Sequence, residues 1–275
     1  MSERSILITG CSSGIGYACA VGMRARGWRV FAACRKTEDC ERLKNEGFDA
    51  PLIDYQDEAT ITAGLEEVLA ATGGTLDALF NNGAFATPGA VEDLPTEALR
   101  ENFEANFFGW HTLTRAVLPV MHAQGHGRIA QCSSVLGLVA MPWRGAYNAT
   151  KFALEGLTDT LRLELRGTPV QVTLIEPGPV TSKFRINAAS QFERWIDWKS
   201  SRLASEYEGQ LRNRLYAPPS KDPFELPPEA VLKKLIHACE APRARPRYYV
   251  TTPTYIAGFM RRLLPTRALD RLMMR

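Results

Sequence analysis

Short apolar runs alternate along the chain with longer stretches in which apolar positions recur every three or four residues. Ser5-Ile6-Leu7-Ile8 reads as a strand, and a helical pattern follows from about Tyr17 to Arg26, where Gly27 stops it. Trp28 to Cys34 reads as a second strand and Ala50 to Ile53 as a third. A helix is expected from about Asp57 to Ala71, ended by Gly73-Gly74. Leu76 to Phe80 is the fourth expected strand, and Pro95-Thr96 opens a long helix that continues to about Ala123. Gly127 to Cys132 and Val170 to Ile175 read as the fifth and sixth strands, with a helix through Tyr147 to Arg166 between them. Further on, Pro228 to Ala241 reads as a helix and Arg247 to Val250 as a last strand. Regular alternation of strand and helix builds a parallel sheet covered on both faces. The expectation is therefore an α/β chain, a doubly wound parallel sheet in one domain over residues 1–275. No internal repeat, low-complexity stretch or linker divides it.

Composition leaves that picture unchanged and removes several function classes. A chain of 275 residues, 45% hydrophobic and 23% charged, has the balance of a soluble globular domain with a full core. A net charge of +3, with no basic run interleaved with aromatics before the C-terminus, argues against a nucleic-acid partner. The cysteines (Cys11, Cys19, Cys34, Cys40, Cys132 and Cys239) form no C-x-x-C pair and read as small apolar residues of a reducing compartment. His111, His122, His126 and His237 have no ligand spacing, so no metal is expected. The chain opens directly into a strand, without the pattern of a signal peptide, and no apolar run is long enough to span a membrane. A cytoplasmic location is the expectation.

Two stretches carry candidate chemistry. The first strand ends in Thr9-Gly10-Cys11-Ser12-Ser13-Gly14-Ile15-Gly16, just before a helix. That is a phosphate-binding arrangement: glycines let the backbone approach closely, and the helix N-terminus offers free N–H groups and the positive end of its dipole. Arg35 and Lys36 follow the second strand, with no acid until Glu38. A basic residue there suits the extra phosphate of NADP, where an acid would hold the ribose hydroxyls of NAD. The second stretch is Tyr147-Asn148-Ala149-Thr150-Lys151. On a helix, residues four apart share a face. An ammonium beside a phenol favours the phenolate and is expected to draw its pKa from about 10 towards neutrality. The tyrosine can then exchange a proton at working pH, while Ser134, at the end of the fifth strand, holds a carbonyl oxygen. These residues all fall at the C-terminal ends of strands or in the helices that follow, where open α/β sheets bind ligands.

The motifs Thr9-Gly10-x-x-x-Gly14-x-Gly16, Asp54, Asn81-Asn82, Asn106, Ser134, Tyr147-x-x-x-Lys151 and Pro177-Gly178 resemble the short-chain dehydrogenase/reductase family, in the family's order. The resemblance covers roughly Ile6 to Phe184 and, in outline, the chain to Val250. The wording is most similar to the NADP-dependent branch that reduces aldehydes, retinal and hydroxysteroids. It implies a Rossmann-type fold, assembly as a homodimer or homotetramer, and a set of roles. Tyr147 is then the general acid in carbonyl reduction and the base in reverse. Lys151 lowers the tyrosine pKa and binds the nicotinamide ribose, Ser134 bonds the substrate oxygen, and Asn106 holds a water linking Lys151 to solvent. Ser133 is read as a structural hydroxyl. Gly10, Ser12, Ser13, Gly14, Ile15 and Gly16 line the cofactor, with Arg35 and Lys36 on its extra phosphate. Asp54 receives the adenine amino group, and Asn81 and Gly83 lie against the adenosine side. Pro177, Gly178, Val180, Thr181 and Ser182 complete the cofactor set, the last three meeting the carboxamide. Two departures stand out. The family usually reads Asn-Asn-Ala-Gly where this chain has Asn81-Asn82-Gly83-Ala84, a strained exchange if the last position needs positive φ. Ser182 stands where the family often has Thr.

From Lys183 to about Pro228 the strand–helix pattern lapses and aromatics gather, among them Phe184, Phe192, Trp195, Trp198, Tyr207 and Tyr216. This segment, residues 183–228, is expected to form a substrate lid, with Leu136, Trp143 and Phe184 beside Ser134 and Tyr147 as pocket wall. Such a pocket suits a small apolar aldehyde, retinoid or steroid-like ketone. The C-terminal extension, residues 254–275, is a basic amphipathic pattern broken by Pro265. It can pack over the pocket, on a partner subunit, or weakly on an anionic membrane surface. The expected function is NADP-dependent hydride transfer between nicotinamide and a carbonyl/alcohol substrate. A regulatory dinucleotide-binding protein without catalysis is the alternative, and an epimerase or dehydratase on the same scaffold a third.

Overall fold

β1 (Ser5–Thr9), β2 (Arg29–Ala33), β3 (Ala78–Asn81), β4 (Gly127–Cys132), β5 (Val170–Glu176) and β6 (Arg247–Tyr249) pair in parallel in the order β2-β1-β3-β4-β5-β6. The structure is a computed structural model and describes residues 3–217 and 222–274; positions 218–221 of the expected lid and Arg275 of the extension lie outside the described residues. Every residue of β1 and β3 is buried, as a strand covered on both faces requires. α1 (Gly14–Ala25), α2 (Thr37–Asn45) and α3 (Glu58–Ala71) follow the first strands in turn. Asp57 caps α3 by accepting from the Ala59 N–H at 3.0 Å.

Two elements differ from the sequence pattern. Ala50 to Ile53 is not a strand but an extended segment joined to the β2 edge by two isolated bridges, Phe31 to Asp49 and Cys34 to Leu52. Pro51 has no N–H to give, so a regular ladder cannot run through it. The long helix expected from Thr96 to Ala123 is cut in two. α4 (Thr96–Phe103) passes through a π-helical turn, Glu104–Phe108, into α5 (Gly109–Ala123). α6 (Gly145–Glu164) lies between β4 and β5.

After β5 the chain forms α7 (Phe184–Trp195), α8 (Ala204–Glu206), a π turn at Tyr207–Arg212 and α9 (Asn213–Tyr216). Here Phe192, Ile196, Tyr207, Leu211 and Leu215 bury against one another and against Tyr147, a small core distinct from that of the sheet. α10 (Glu229–Glu240) packs on α1 and against β4 and β5. α11 (Thr252–Leu263) and α12 (Thr266–Met273) end the chain, broken at Pro265. The Arg261 guanidinium docks this tail, donating to the carbonyls of Gly137 (3.1 Å) and Leu138 (2.8 Å) in the loop after Ser134. Ile256, Phe259 and Leu263 remain exposed on the outer face of α11.

Candidate active site

The glycine turn is built for close approach. Gly10 (φ +68°) and Gly14 (φ +60°) take the left-handed conformation that side chains resist. A Cβ on Gly16 would stand 2.3 Å from the Gly10 carbonyl oxygen, so only glycine lets α1 seat on the end of β1. α1 starts without a side-chain cap from Ser13 and with no acid in its first turn. Its N–H groups and positive dipole end are thus free to meet an anion. Across the cleft, a Cβ on Gly14 would lie 3.1 Å from Ser182 Cβ, so the loop after β5 forms the opposite wall. Ser12 and Ile15 belong to the same turn. A dinucleotide's pyrophosphate fits this cradle. Arg35 and Lys36 stand exposed just beyond β2. Asp54 is half-buried in a local turn, its Oδ1 accepting from the Gln56 N–H at 3.1 Å.

Asn81 is placed differently from its expected role. Its side chain is fully buried inside the sheet, where Nδ2 donates to Gln131 Oε1 (2.9 Å) and Thr114 Oγ1 (3.1 Å). Its Oδ1 accepts from the Tyr55 hydroxyl at 2.5 Å. No atom of that amide remains for a ligand, because an in-sheet polar group must be satisfied internally. Asn82 instead reaches the turn, its Nδ2 donating to the Thr9 carbonyl at 3.0 Å. Gly83 lies against the turn, its Cα 2.6 Å from where a Gly10 Cβ would be. Neither Gly83 nor Ala84 has positive φ, so the exchanged order carries no backbone strain. The Trp110 indole, donating to the Gly83 carbonyl at 2.9 Å, fixes this loop.

At the N-terminal end of α6, Tyr147 and Lys151 stand one turn apart on its buried face. Lys151 is 1% exposed; its Nζ donates to the Cys132 carbonyl (2.8 Å) and lies 4.2 Å from the Trp110 ring centre and 5.4 Å from that of Tyr147. Burial pulls Lys151 down to about 8. Burial also pushes the Tyr147 phenol up, with Ser134 opposing only in part. This reverses the expected downward shift. The ammonium is aimed at the Cys132 carbonyl and is itself desolvated, and burial is the larger influence on the phenol. The Ser134 hydroxyl accepts from the Leu136 N–H at 3.1 Å, while Ser133 is buried beneath.

Asn106 sits in the π turn, fully buried. Its Oδ1 accepts from the Phe85 N–H (3.0 Å) and its Nδ2 donates to the Phe85 carbonyl (2.8 Å) and Thr150 Oγ1 (3.4 Å). The side chain expected to hold a water instead pins the loop after β3 to the helix. A π turn breaks the regular ladder of helix carbonyls, and such turns gather at functional sites. Phe184 meets Tyr147 edge to face at 5.1 Å, and Leu136 and Trp143 pack into the same cluster.

Beyond β5, the Pro177 carbonyl accepts from the Val135 N–H (2.8 Å). Gly178 leaves room for Thr251, whose Oγ1 would be 2.1 Å from a Cβ there. The Thr181 N–H is taken by the Leu226 carbonyl (3.1 Å) in a bridge between Val180 and Leu226. The Thr181 N–H is thus engaged within the chain, and the Ser182 hydroxyl accepts from the Phe184 N–H (3.3 Å).

The family model for short chain dehydrogenase matches residues 4–192, well over half of the chain. The chain belongs to the short-chain dehydrogenase family. It is 39% identical over 271 residues to the uncharacterized oxidoreductase YbbO of Escherichia coli, covering 98% of this chain and 94% of the relative. It is 30% identical over 277 residues to an NADPH-dependent 3-dehydrocapnine reductase of Ornithobacterium rhinotracheale, covering 98% and 95%. A short-chain dehydrogenase/reductase from Burkholderia phymatum in complex with NAD superposes with a TM-score of 0.77 at 26% identity, covering 100% of this chain and 97% of that one. The chain is therefore an oxidoreductase of this family, with dinucleotide binding. No helix among the described residues is long and apolar enough to cross a membrane.

Sequence reasoning missed three members of this short-chain dehydrogenase site. Tyr55 and Trp110 are one-residue signals with no motif around them, and their roles come from partners distant in sequence. Asn82 was in view, but adjacent residues on a strand point to opposite faces, and only the register decides which one faces the turn.

Proposed function

We propose that this oxidoreductase reduces the carbonyl group of an apolar aldehyde or ketone with NADPH. The observation that carries the reading is Tyr147, buried beneath the lid core, with Ser134 beside its hydroxyl and Phe184 against its ring. When bound, the dinucleotide supplies the hydride to the carbonyl carbon. Ser134 holds the carbonyl oxygen, and Tyr147 gives that oxygen its proton, so one hydride and one proton convert C=O to CH–OH. Lys151, one turn from Tyr147 on α6, would hold the ribose. The lid side chains exclude water and grip the apolar body. A panel of carbonyl compounds, followed by NADPH absorbance, tests the assignment. Specificity should climb with chain length by no more than about 1–3 kcal/mol per methylene, and a flat response from short to long aldehydes would refute an apolar pocket.

The choice of NADPH rests on Arg35 and Lys36, exposed just after β2, and is supported by the NADPH-dependent relative. Arg35→Ala should raise the Michaelis constant for NADPH and leave that for NADH nearly unchanged, because only NADPH brings a phosphate to this arginine. Equal loss with both cofactors would remove the assignment of Arg35.

A further inference from the structure

Lys151 is a buried cation with few partners. An ammonium carries three N–H donors and no acceptor. One donor of Lys151 goes to the Cys132 carbonyl at 2.8 Å, and no other hydrogen bond or ion pair reaches Nζ among the described residues. Burying a charge so thinly partnered is costly unless something else compensates it. Three titratable groups face it. The thiol of Cys132 comes from β4, and the phenol of Tyr147 and the carboxyl of Glu155 come from α6. Glu155 is itself engaged by Arg247. Cys132 and Glu155 favour the ammonium, yet burial outweighs them.

What α5 brings to this ammonium is an aromatic face. Nζ lies 4.2 Å from the centre of the Trp110 ring, inside the reach of about 6 Å over which a ring attracts a cation. The Tyr147 ring centre is farther, at 5.4 Å. Trp110 is 0% exposed and held in one orientation. Its Nε1 donates to the Gly83 carbonyl at 2.9 Å, and the Tyr55 ring, tied by its hydroxyl to Asn81, lies 5.9 Å away. A ring fixed on two sides cannot swing off the ammonium. Indole has the strongest negative face of the aromatic side chains, and its pull on a cation grows where water is excluded.

We infer that Trp110 is a positioning residue of the reaction: its ring face keeps Lys151 charged in a dry site, ready for the ribose hydroxyls of the cofactor. The inference rests on the proposal that Lys151 holds that ribose, and it names the residue that lets a buried amine stay an ammonium while doing so. An ammonium deprived of its stabilising face gives up its proton more easily, so a weaker ring lowers the pH at which Lys151 loses its charge. The indole N–H has a separate duty at Gly83, which a fluorinated ring keeps.

The test replaces Trp110 in the full chain by 5-fluoro-, 5,7-difluoro- and 5,6,7-trifluorotryptophan, introduced at that codon by nonsense suppression. Each keeps the shape of the ring and its N–H, and each step of fluorination drains the negative face further. Calorimetry measures NADPH affinity from pH 6.5 to 10. Wild-type affinity should fall as pH rises through a break that marks deprotonation of Lys151, and Lys151→Met should bind weakly with no break. Across the fluorinated series the break should move down stepwise, by about one pH unit in all, a tenfold bias towards the neutral amine. A break at the same pH throughout the series overturns the inference and leaves Lys151 on the ribose, because packing alone is indifferent to ring charge. A break that survives in Lys151→Met belongs to another group and overturns it too. If wild-type affinity does not change with pH over this range, the ammonium takes no part in binding, and the inference falls together with the role of Lys151.

Discussion

Tyr147→Phe is expected to cut turnover by about 10²–10⁴-fold while leaving the fold and NADPH binding intact. The substitution keeps the ring that Phe184 meets at 5.1 Å and removes only the hydroxyl. The remaining loss is then the proton. Burial holds this phenol above its ordinary range, which suits a group that must arrive protonated to reduce a carbonyl. The reverse reaction needs the phenolate, so alcohol oxidation should quicken as pH rises. Lys151→Met should behave otherwise, lowering turnover and cofactor affinity together and moving the oxidative pH profile upward. Stopped-flow NADPH oxidation with a good substrate, alongside equilibrium cofactor titration, separates the two variants. Near-wild-type turnover by Tyr147→Phe would end the mechanism.

What could be read from the sequence was what is local. The glycine turn is a contiguous string whose geometry depends on its own residues, and its positive-φ positions are glycines. Tyr147 and Lys151 need only a helix to share a face. That the sheet is parallel follows from the alternation of strands and helices, and β1 and β3 are buried throughout. What stayed hidden depends on residues far apart in the chain. Asn81 looks like a ligand in a motif, yet Tyr55, Thr114 and Gln131 claim its amide. Asn106 is claimed by Phe85. The direction of the Tyr147 shift is not legible from spacing, which reveals the neighbouring charge but not the desolvation that here is the larger effect. Ala50 to Ile53 has the apolar pattern of a strand, and Pro51 should have counted against it.

Arg247→Met should lower folding stability by about 3–5 kcal/mol at pH 8, and by clearly less at pH 5. Arg247, on β6, reaches Glu155 and Asp159 on α6 and Glu176 at the end of β5, the last at 2.6 Å. Glu176 is 0% exposed and Glu155 6%, and one oxygen of each is buried without a partner among the described residues. The guanidinium is thus the counter-charge for two buried carboxylates, one turn beyond Lys151 on α6 and immediately before Pro177-Gly178. Burial and the neighbouring Glu155 push Glu176 from its ordinary 4.5 up to about 8 even with Arg247 present. The folded chain therefore binds a proton there that the unfolded chain has released, so stability falls as pH rises from 4.5 to 8. Without the guanidinium both carboxylates must take up protons to stay buried. That is cheap at pH 5 and costly at pH 8, so the penalty of the substitution should grow with pH. Urea unfolding of wild type and variant at each pH measures the effect. A penalty that is the same at pH 5 and pH 8 would mean that Arg247 is held there by packing and not as the counter-charge of Glu155 and Glu176.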